Sequence, residues 1–107
     1  MTGTLGRTTR TNPHRARQQL IVRALNRSYT IRKTHAVVIT PGTELSPVIL
    51  QLNLREWDEF RATAIRQVFA ALEIHRPTPT IDRDRFPRTV DALQAWIEEV
   101  YLGMSGR

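Results

Sequence analysis

Two stretches in the C-terminal part of the chain carry apolar residues at helical spacing. In residues 55–73 they recur every three or four positions and form one wide stripe, and acidic residues cluster in the first turn, where the helix dipole favours negative charge. This stripe consists of Trp57, Phe60, Ala64, Ile65, Val68, Phe69 and Leu72. In residues 88–102 the stripe consists of Val90, Leu93, Trp96, Ile97 and Val100. The pattern predicts two long amphipathic helices, the second closed by Gly103 as a C-terminal cap.

A third helix is predicted near the N-terminus, over residues 13–25. Asn12 is a good N-cap, Pro13 suits the first helical position, and Asn26 suits a left-handed stop. One side of this helix is apolar and consists of Leu20, Ile21, Ala24 and Leu25. The preceding residues 1–11 show no periodicity, so we expect them to form a flexible basic tail.

The segment between the N-terminal helix and the helix predicted at residues 55–73 has the pattern of a β-hairpin. Residues 28–40 alternate polar and apolar side chains and end in a β-branched run, which predicts a strand. Residues 41–44 read Pro-Gly-Thr-Glu, a turn signal, and residues 48–54 alternate again. We therefore expect two antiparallel strands joined by a loop. Residues 76–88 contain three prolines and are predicted to form an irregular connector.

Together these elements predict an α+β fold: a basic N-terminal helix with a flexible tail, a two-stranded antiparallel hairpin and two long C-terminal helices. The 107 residues are a length typical of one domain, which we place at residues 12–107. The hydrophobic content of 40% is typical of a globular protein. Cysteine is absent from the sequence, which excludes disulfide bonds and thiolate chemistry.

Charge is distributed unevenly along the chain. Residues 1–40 contain seven arginines, one lysine and no acid, a formal charge of +8, whereas residues 41–107 contain eight arginines and ten acids, a charge of −2. A basic segment joined to a nearly neutral one suggests a surface for a polyanion, and the arginine fork suits phosphates and carboxylates. A genome rich in GC also favours arginine codons and is a second explanation of the bias.

The N-terminal helix places several cations on one ridge, because Arg15, Gln19, Arg23 and Arg27 follow one another at intervals of four residues. We therefore predict a non-enzymatic protein that binds or packages DNA or RNA through phosphate contacts. The predicted binding residues are Arg7, Arg10, Arg15, Arg17, Gln19, Arg23, Arg27, Arg32 and Lys33. The main alternative is a small assembly, structural or inhibitor protein whose basic arm docks on an acidic surface of a larger protein complex.

A second nucleic-acid hypothesis starts from residues 48–54. A strand followed by two helices loosely resembles the ribbon-helix-helix family of DNA-binding proteins. The resemblance covers about half the chain and implies that Gln51 and Asn53 face the major groove, where amide side chains read adenine. The chain departs from that family in the long link of residues 76–88, where the family has a tight turn.

No catalytic or metal-binding motif is recognisable in the sequence. His14, His35 and His75 are isolated from one another, and Asp82 and Asp84 alternate with arginines, which is typical of a solvated charge run. We therefore predict no enzyme activity and no cofactor. A toxin-like ribonuclease that uses scattered Arg and His side chains stays open as a third hypothesis, because such sites have no sequence signature.

No apolar run is long enough to span a membrane, and the N-terminus lacks the apolar core of a secretory signal. These features predict a soluble, cytoplasmic protein, although an N-terminus rich in Arg and Thr and free of acids also fits an organellar transit peptide. Because a lone hairpin has exposed edges and the C-terminal helices have wide apolar stripes, a homo-oligomer is also expected.

Overall fold

The computed structural model describes residues 13–32 and 37–103, which form helices and connecting segments. Helix α1 spans Pro13–Arg32, α2 spans Pro47–Leu50, α3 spans Leu54–Ala71 and α4 spans Val90–Val100, with a 3₁₀ turn at Arg83–Arg85. Within these described ranges no strand forms, and the one β-type contact is an isolated bridge between Glu44 and Thr89. The predicted α+β class and its two-stranded hairpin are therefore wrong.

The two C-terminal helices confirm the prediction from apolar periodicity, with ends shifted by a few residues. Asn53 caps α3 in a capping box: its side chain accepts from the Glu56 N–H at 2.8 Å, and the Glu56 carboxylate accepts from the Asn53 N–H at 3.0 Å. Thr89 caps α4 by accepting from the Ala92 N–H at 3.1 Å. Gly103 follows α4 with a φ of 67°, the left-handed conformation expected of it.

Helix α1 is longer than predicted, because it continues through Asn26 and Ser28 to Arg32. The side chains of Ile21, Leu25 and Ser28 are all buried, and this spacing of three to four residues keeps one face of α1 against α3 and α4. Burial of that face outweighs the β propensity of the residues that follow position 28.

The second half of the predicted first strand is replaced by a side-chain clamp. Asn26 donates from Nδ2 to the Ile39 carbonyl at 2.8 Å and accepts at Oδ1 from the Ile39 N–H at 2.8 Å. One carboxamide thus satisfies both backbone groups that a neighbouring strand would otherwise satisfy. Ile39 is buried while Val38 is exposed, so alternation is present here without a sheet. Residues 33–36 of the predicted strand lie outside the described ranges.

The predicted second strand, residues 48–54, instead contains most of the short helix α2 and the start of α3. Ser46 caps α2 by accepting from the Ile49 N–H at 3.2 Å, and Pro47 occupies the first turn. Gln51 ends α2 in the left-handed conformation, with φ 59° and ψ 47°. Ser46 followed by Pro47 is therefore an N-terminal helix signal.

A single hydrophobic core joins the helices. Helix α3 contributes more to it than any other element, six of the seventeen buried apolar residues, and among them Phe60 is fully buried and stacks on Trp57 with ring centroids 5.8 Å apart. The connector also enters the core, because Phe86 is buried and meets Trp57 edge to face at 5.5 Å. Val48 and Leu54, predicted to share one strand face with Leu50 and Leu52, are exposed while those two are buried. No helix within the described residues is long and apolar enough to cross a lipid bilayer.

Candidate nucleic-acid interface

The outward face of α1 carries the predicted basic ridge. Arg15, Gln19, Arg23 and Arg27 are all exposed on one continuous helix, so the predicted alignment at intervals of four residues is present. Helix α1 contains no acidic residue along its length. Within the described ranges no carboxylate forms an ion pair with these three arginines. Their guanidinium groups are therefore presented to solvent.

A shallow groove of about 520 Å³ runs beside this ridge, between α1 and the loop at Pro41. Arg15, Gln19 and Arg23 of the ridge line it, together with Asn26. The other lining residues are Gln18, Val22 and Pro41. Asn26 also ties the loop to α1 through its two hydrogen bonds with Ile39.

Arg17, which was predicted as a further phosphate-binding residue, lies beside the ridge and is engaged in an ion pair. Its Nε donates to Glu98 Oε2 at 2.8 Å, and its side chain is only 20% exposed. Gln94, fully buried on α4, donates from Nε2 to the same carboxylate oxygen at 2.8 Å and to the His14 carbonyl at 2.8 Å. This cluster joins the N-terminal part of α1 to α4.

The environment of Glu98 lowers its pKa. Burial raises the pKa of this carboxyl, but hydrogen bonds from Arg17 and Gln94, together with the positive charge of Arg17, outweigh burial. Glu98 is therefore held as a carboxylate in the folded protein. The cluster could not be predicted from the sequence, because its partners on α1 lie about 80 residues before those on α4.

The remaining predicted binding residues fall where their side chains are not described. Arg7, Arg10 and Lys33 lie outside the described ranges, as does the predicted tail. Arg32 is the last residue of α1, and its side chain also lies outside the described part.

The residues implied by the ribbon-helix-helix resemblance have structural roles instead. Gln51 ends α2, and the side chain of Asn53 is engaged in the capping box of α3. Neither lies on a strand, so the expectation that they read bases from a β-ribbon is wrong. The signals for this outcome were Ser46-Pro47 and the Asn-x-x-Glu spacing of Asn53 and Glu56.

The residues considered for catalysis do not come together in one site. His14 joins the Glu98 cluster, while His75 is exposed after α3 and Asp84 is exposed in the 3₁₀ turn. His35 lies outside the described ranges. Among residues 13–32 and 37–103, no three His, Asp or Glu side chains are arranged to hold a metal ion.

A second charged cluster, which sequence reasoning missed, joins α3 to the connector. Arg83 donates from Nε and Nη2 to the two carboxylate oxygens of Asp58 at 2.9 and 2.8 Å, a bidentate pair. Arg61 also donates to Asp58 and to the Ile81 carbonyl. Hydrogen bonds from Arg83 and then Arg61 hold the pKa of the Asp58 carboxyl far below its usual range. Arg83 was predicted to compensate its neighbours Asp82 and Asp84, but it binds the residue 25 positions earlier.

Acidification is expected to destabilise the protein through these two carboxyls. Folding lowers the pKa of both groups, so the unfolded chain takes up protons at a higher pH than the folded protein does. Their contribution to the free energy of unfolding is complete above the ordinary pKa values, 3.8 for Asp58 and 4.5 for Glu98. It is lost progressively as the pH falls below those values. Urea midpoints measured from neutral pH to about pH 2.5 test this, with Asp58→Asn expected to flatten the curve. Asp84→Asn is the matched control, and equal acid sensitivity of wild type and Asp58→Asn would contradict the assignment.

In comparisons with known proteins, no family model, no curated protein and no solved structure matches this chain.

Proposed function

We propose that this chain is a non-enzymatic protein that binds or packages nucleic acid through the outward face of α1. The observation that supports this proposal best is the alignment of Arg15, Arg23 and Arg27 on one exposed ridge without an acidic partner in the described residues. Arginine forks donate in parallel to two phosphate oxygens, and a groove beside the ridge leaves room for a sugar–phosphate backbone.

The mechanism we propose is electrostatic. Each guanidinium that neutralises a phosphate releases condensed counterions, so the logarithm of the affinity falls linearly with the logarithm of the salt concentration. Three phosphate contacts from α1 give a slope of about −2.7 on duplex DNA, and contacts from Arg7, Arg10, Arg32 and Lys33 would make it steeper. The Arg17–Glu98 pair holds the orientation of α1 and contributes nothing to this slope.

The alternative is an assembly or inhibitor protein that docks the same ridge on an acidic protein surface. Phosphates repeat at regular intervals along a strand, and the regular spacing of the ridge along one straight helix suits such a repeat. An acidic protein surface has no fixed repeat. We therefore prefer nucleic acid as the partner and, with it, a location in the cytoplasm.

The test is fluorescence anisotropy of labelled duplex DNA, duplex RNA and single-stranded RNA at several salt concentrations. We expect salt-sensitive binding by the wild type, about a hundred-fold weaker binding by Arg15→Gln/Arg23→Gln/Arg27→Gln, and a slope reduced by about 2.7 in that variant. The ridge side chains point to solvent, so we expect its circular dichroism spectrum to match the wild type.

The matched control removes the same total charge elsewhere. Arg55, Arg66 and Arg88 are exposed outside α1, and replacing all three with glutamine changes the net charge by the same amount. Retained binding by this control, beside lost binding by the ridge variant, would support the α1 face as the site. Equal losses in both variants would assign binding to net charge alone, and no binding of any polymer by the wild type at low salt would overturn the proposed function.

A further inference from the structure

We propose that α1 is a base-reading helix that lies in the major groove of duplex DNA, with Gln19 as the residue that determines sequence preference. This inference rests on the proposed function and goes beyond it, because phosphate contacts alone carry no sequence information.

The outward face contains the side-chain types that read bases as well as those that bind phosphates. Around the helix at 100° per residue, Ala16 and Leu20 lie on the same exposed arc as Gln19, and all three are exposed. Arg15, Arg23 and Arg27 occupy the rest of this arc. Glutamine pairs with adenine N6 and N7, arginine pairs with guanine O6 and N7, and small apolar groups contact the thymine methyl. Ala16 and Leu20 thus place apolar groups between the arginines of this arc.

The dimensions of the helix favour B-form DNA over RNA. An α-helix with its side chains is about 10–12 Å wide, which matches the major groove of B-DNA at about 12 Å. The major groove of A-form RNA is too narrow and deep for side chains to read. Binding of single strands depends on aromatic side chains that stack on bases. The outward arc formed by residues 15, 16, 19, 20, 23 and 27 contains no Phe, Tyr or Trp.

Helix α1 is held in place by packing and hydrogen bonds, which also suits base reading. Its buried face is held to α3 and α4 by Ile21 and Leu25, and its first turn is fixed by the hydrogen bonds of Glu98 with Arg17 and of Gln94 with the His14 carbonyl. The base-reading arc is thus presented by a helix whose own position is set by packing. With three or four side chains reaching base edges, we expect a preferred element of about four base pairs that contains an adenine opposite Gln19.

The experiment is selection of bound sequences from a random duplex DNA library by the full chain, followed by affinity measurements on the enriched and a scrambled duplex. Loss of one bidentate base contact is worth roughly five- to hundred-fold in discrimination. We therefore expect Gln19→Ala to lower the ratio of the two affinities by that factor, while its salt slope stays unchanged because the substitution removes no charge. Gln67→Ala, the same substitution on α3, is the control and should keep the full ratio.

The outcomes separate this inference from the function on which it rests. Enrichment of a short element, with a preference that Gln19→Ala abolishes, would support major-groove reading. Salt-sensitive binding without any enriched element, or tighter binding of duplex or single-stranded RNA, would overturn it and leave the proposed function standing. An absence of binding to every polymer at low salt would overturn both.

Discussion

Phe60→Ala is expected to destabilise the folded protein by about 3–5 kcal/mol, the usual range for truncating a buried phenylalanine. Phe60 is 0% exposed at the centre of α3 and stacks on Trp57 at 5.8 Å, so its removal leaves a cavity between the helices. Small domains are stabilised by only about 5–15 kcal/mol in total. The variant should therefore be largely or entirely unfolded at moderate urea concentrations where the wild type is folded.

Urea unfolding followed by circular dichroism and tryptophan fluorescence measures this loss. Val48→Ala is the control, because that apolar side chain is 82% exposed on α2 and its truncation should change stability by less than about 0.5 kcal/mol. If Phe60→Ala and Val48→Ala unfold at similar urea midpoints, the burial of Phe60 in the core is wrong.

Asn26→Ala should destabilise the protein by about 2–3 kcal/mol, although alanine is the better helix former. The substitution removes the partner of both the N–H and the carbonyl of Ile39, a residue that is 1% exposed. A buried backbone group left without a partner costs about 1–3 kcal/mol, and two such groups outweigh the gain in helix propensity. Since Asn26 also lies in the groove, we expect the loop at Pro41 to loosen.

Hydrogen exchange gives a direct measurement of this clamp. The Ile39 amide should be protected in the wild type and exchange rapidly in Asn26→Ala, with amides at the centre of α3 affected only through the global loss of stability. Gln19→Ala, on the exposed face of the same helix, is the control and should retain both stability and Ile39 protection. A fast-exchanging Ile39 amide in the wild type would contradict the two hydrogen bonds.

The helices were predictable where a single face is buried along an uninterrupted stretch. In α3 the spacing of Trp57, Phe60 and Ala64 is both a sequence pattern and the physical cause of the fold, because burying that stripe stabilises the helix. The exposed ridge of α1 followed from the same reasoning, since helical spacing alone places Arg15, Gln19 and Arg23 side by side.

The predicted hairpin failed because alternation is a weaker signal than it appears. Residues 48–54 alternate, but Ser46, Gln51 and Asn53 cap helices, and these local hydrogen bonds decided the structure. The β-branched run ending at Ile39 does require a partner for its backbone, yet Asn26 supplies one from a side chain. Such a partner 13 residues away has no periodic signature.

The ion pairs of Arg17 and Arg83 also could not be predicted from the sequence. Both are arginines in charge-rich segments, and local pattern gives no means of telling a solvated guanidinium from one that meets a carboxylate across the fold. Their partners Glu98 and Asp58 lie 81 and 25 residues away, so only tertiary packing assigns them.

The division of α1 into two faces that share no side chain has a consequence for how this protein can change. Ile21, Leu25 and Ser28 face inward, whereas Arg15, Gln19 and Arg23 face outward. Variation at the outward positions leaves the packed interior untouched, so a library randomised there would consist mostly of folded members. The outward surface of the helix can thus change in charge and shape without a compensating change in the interior.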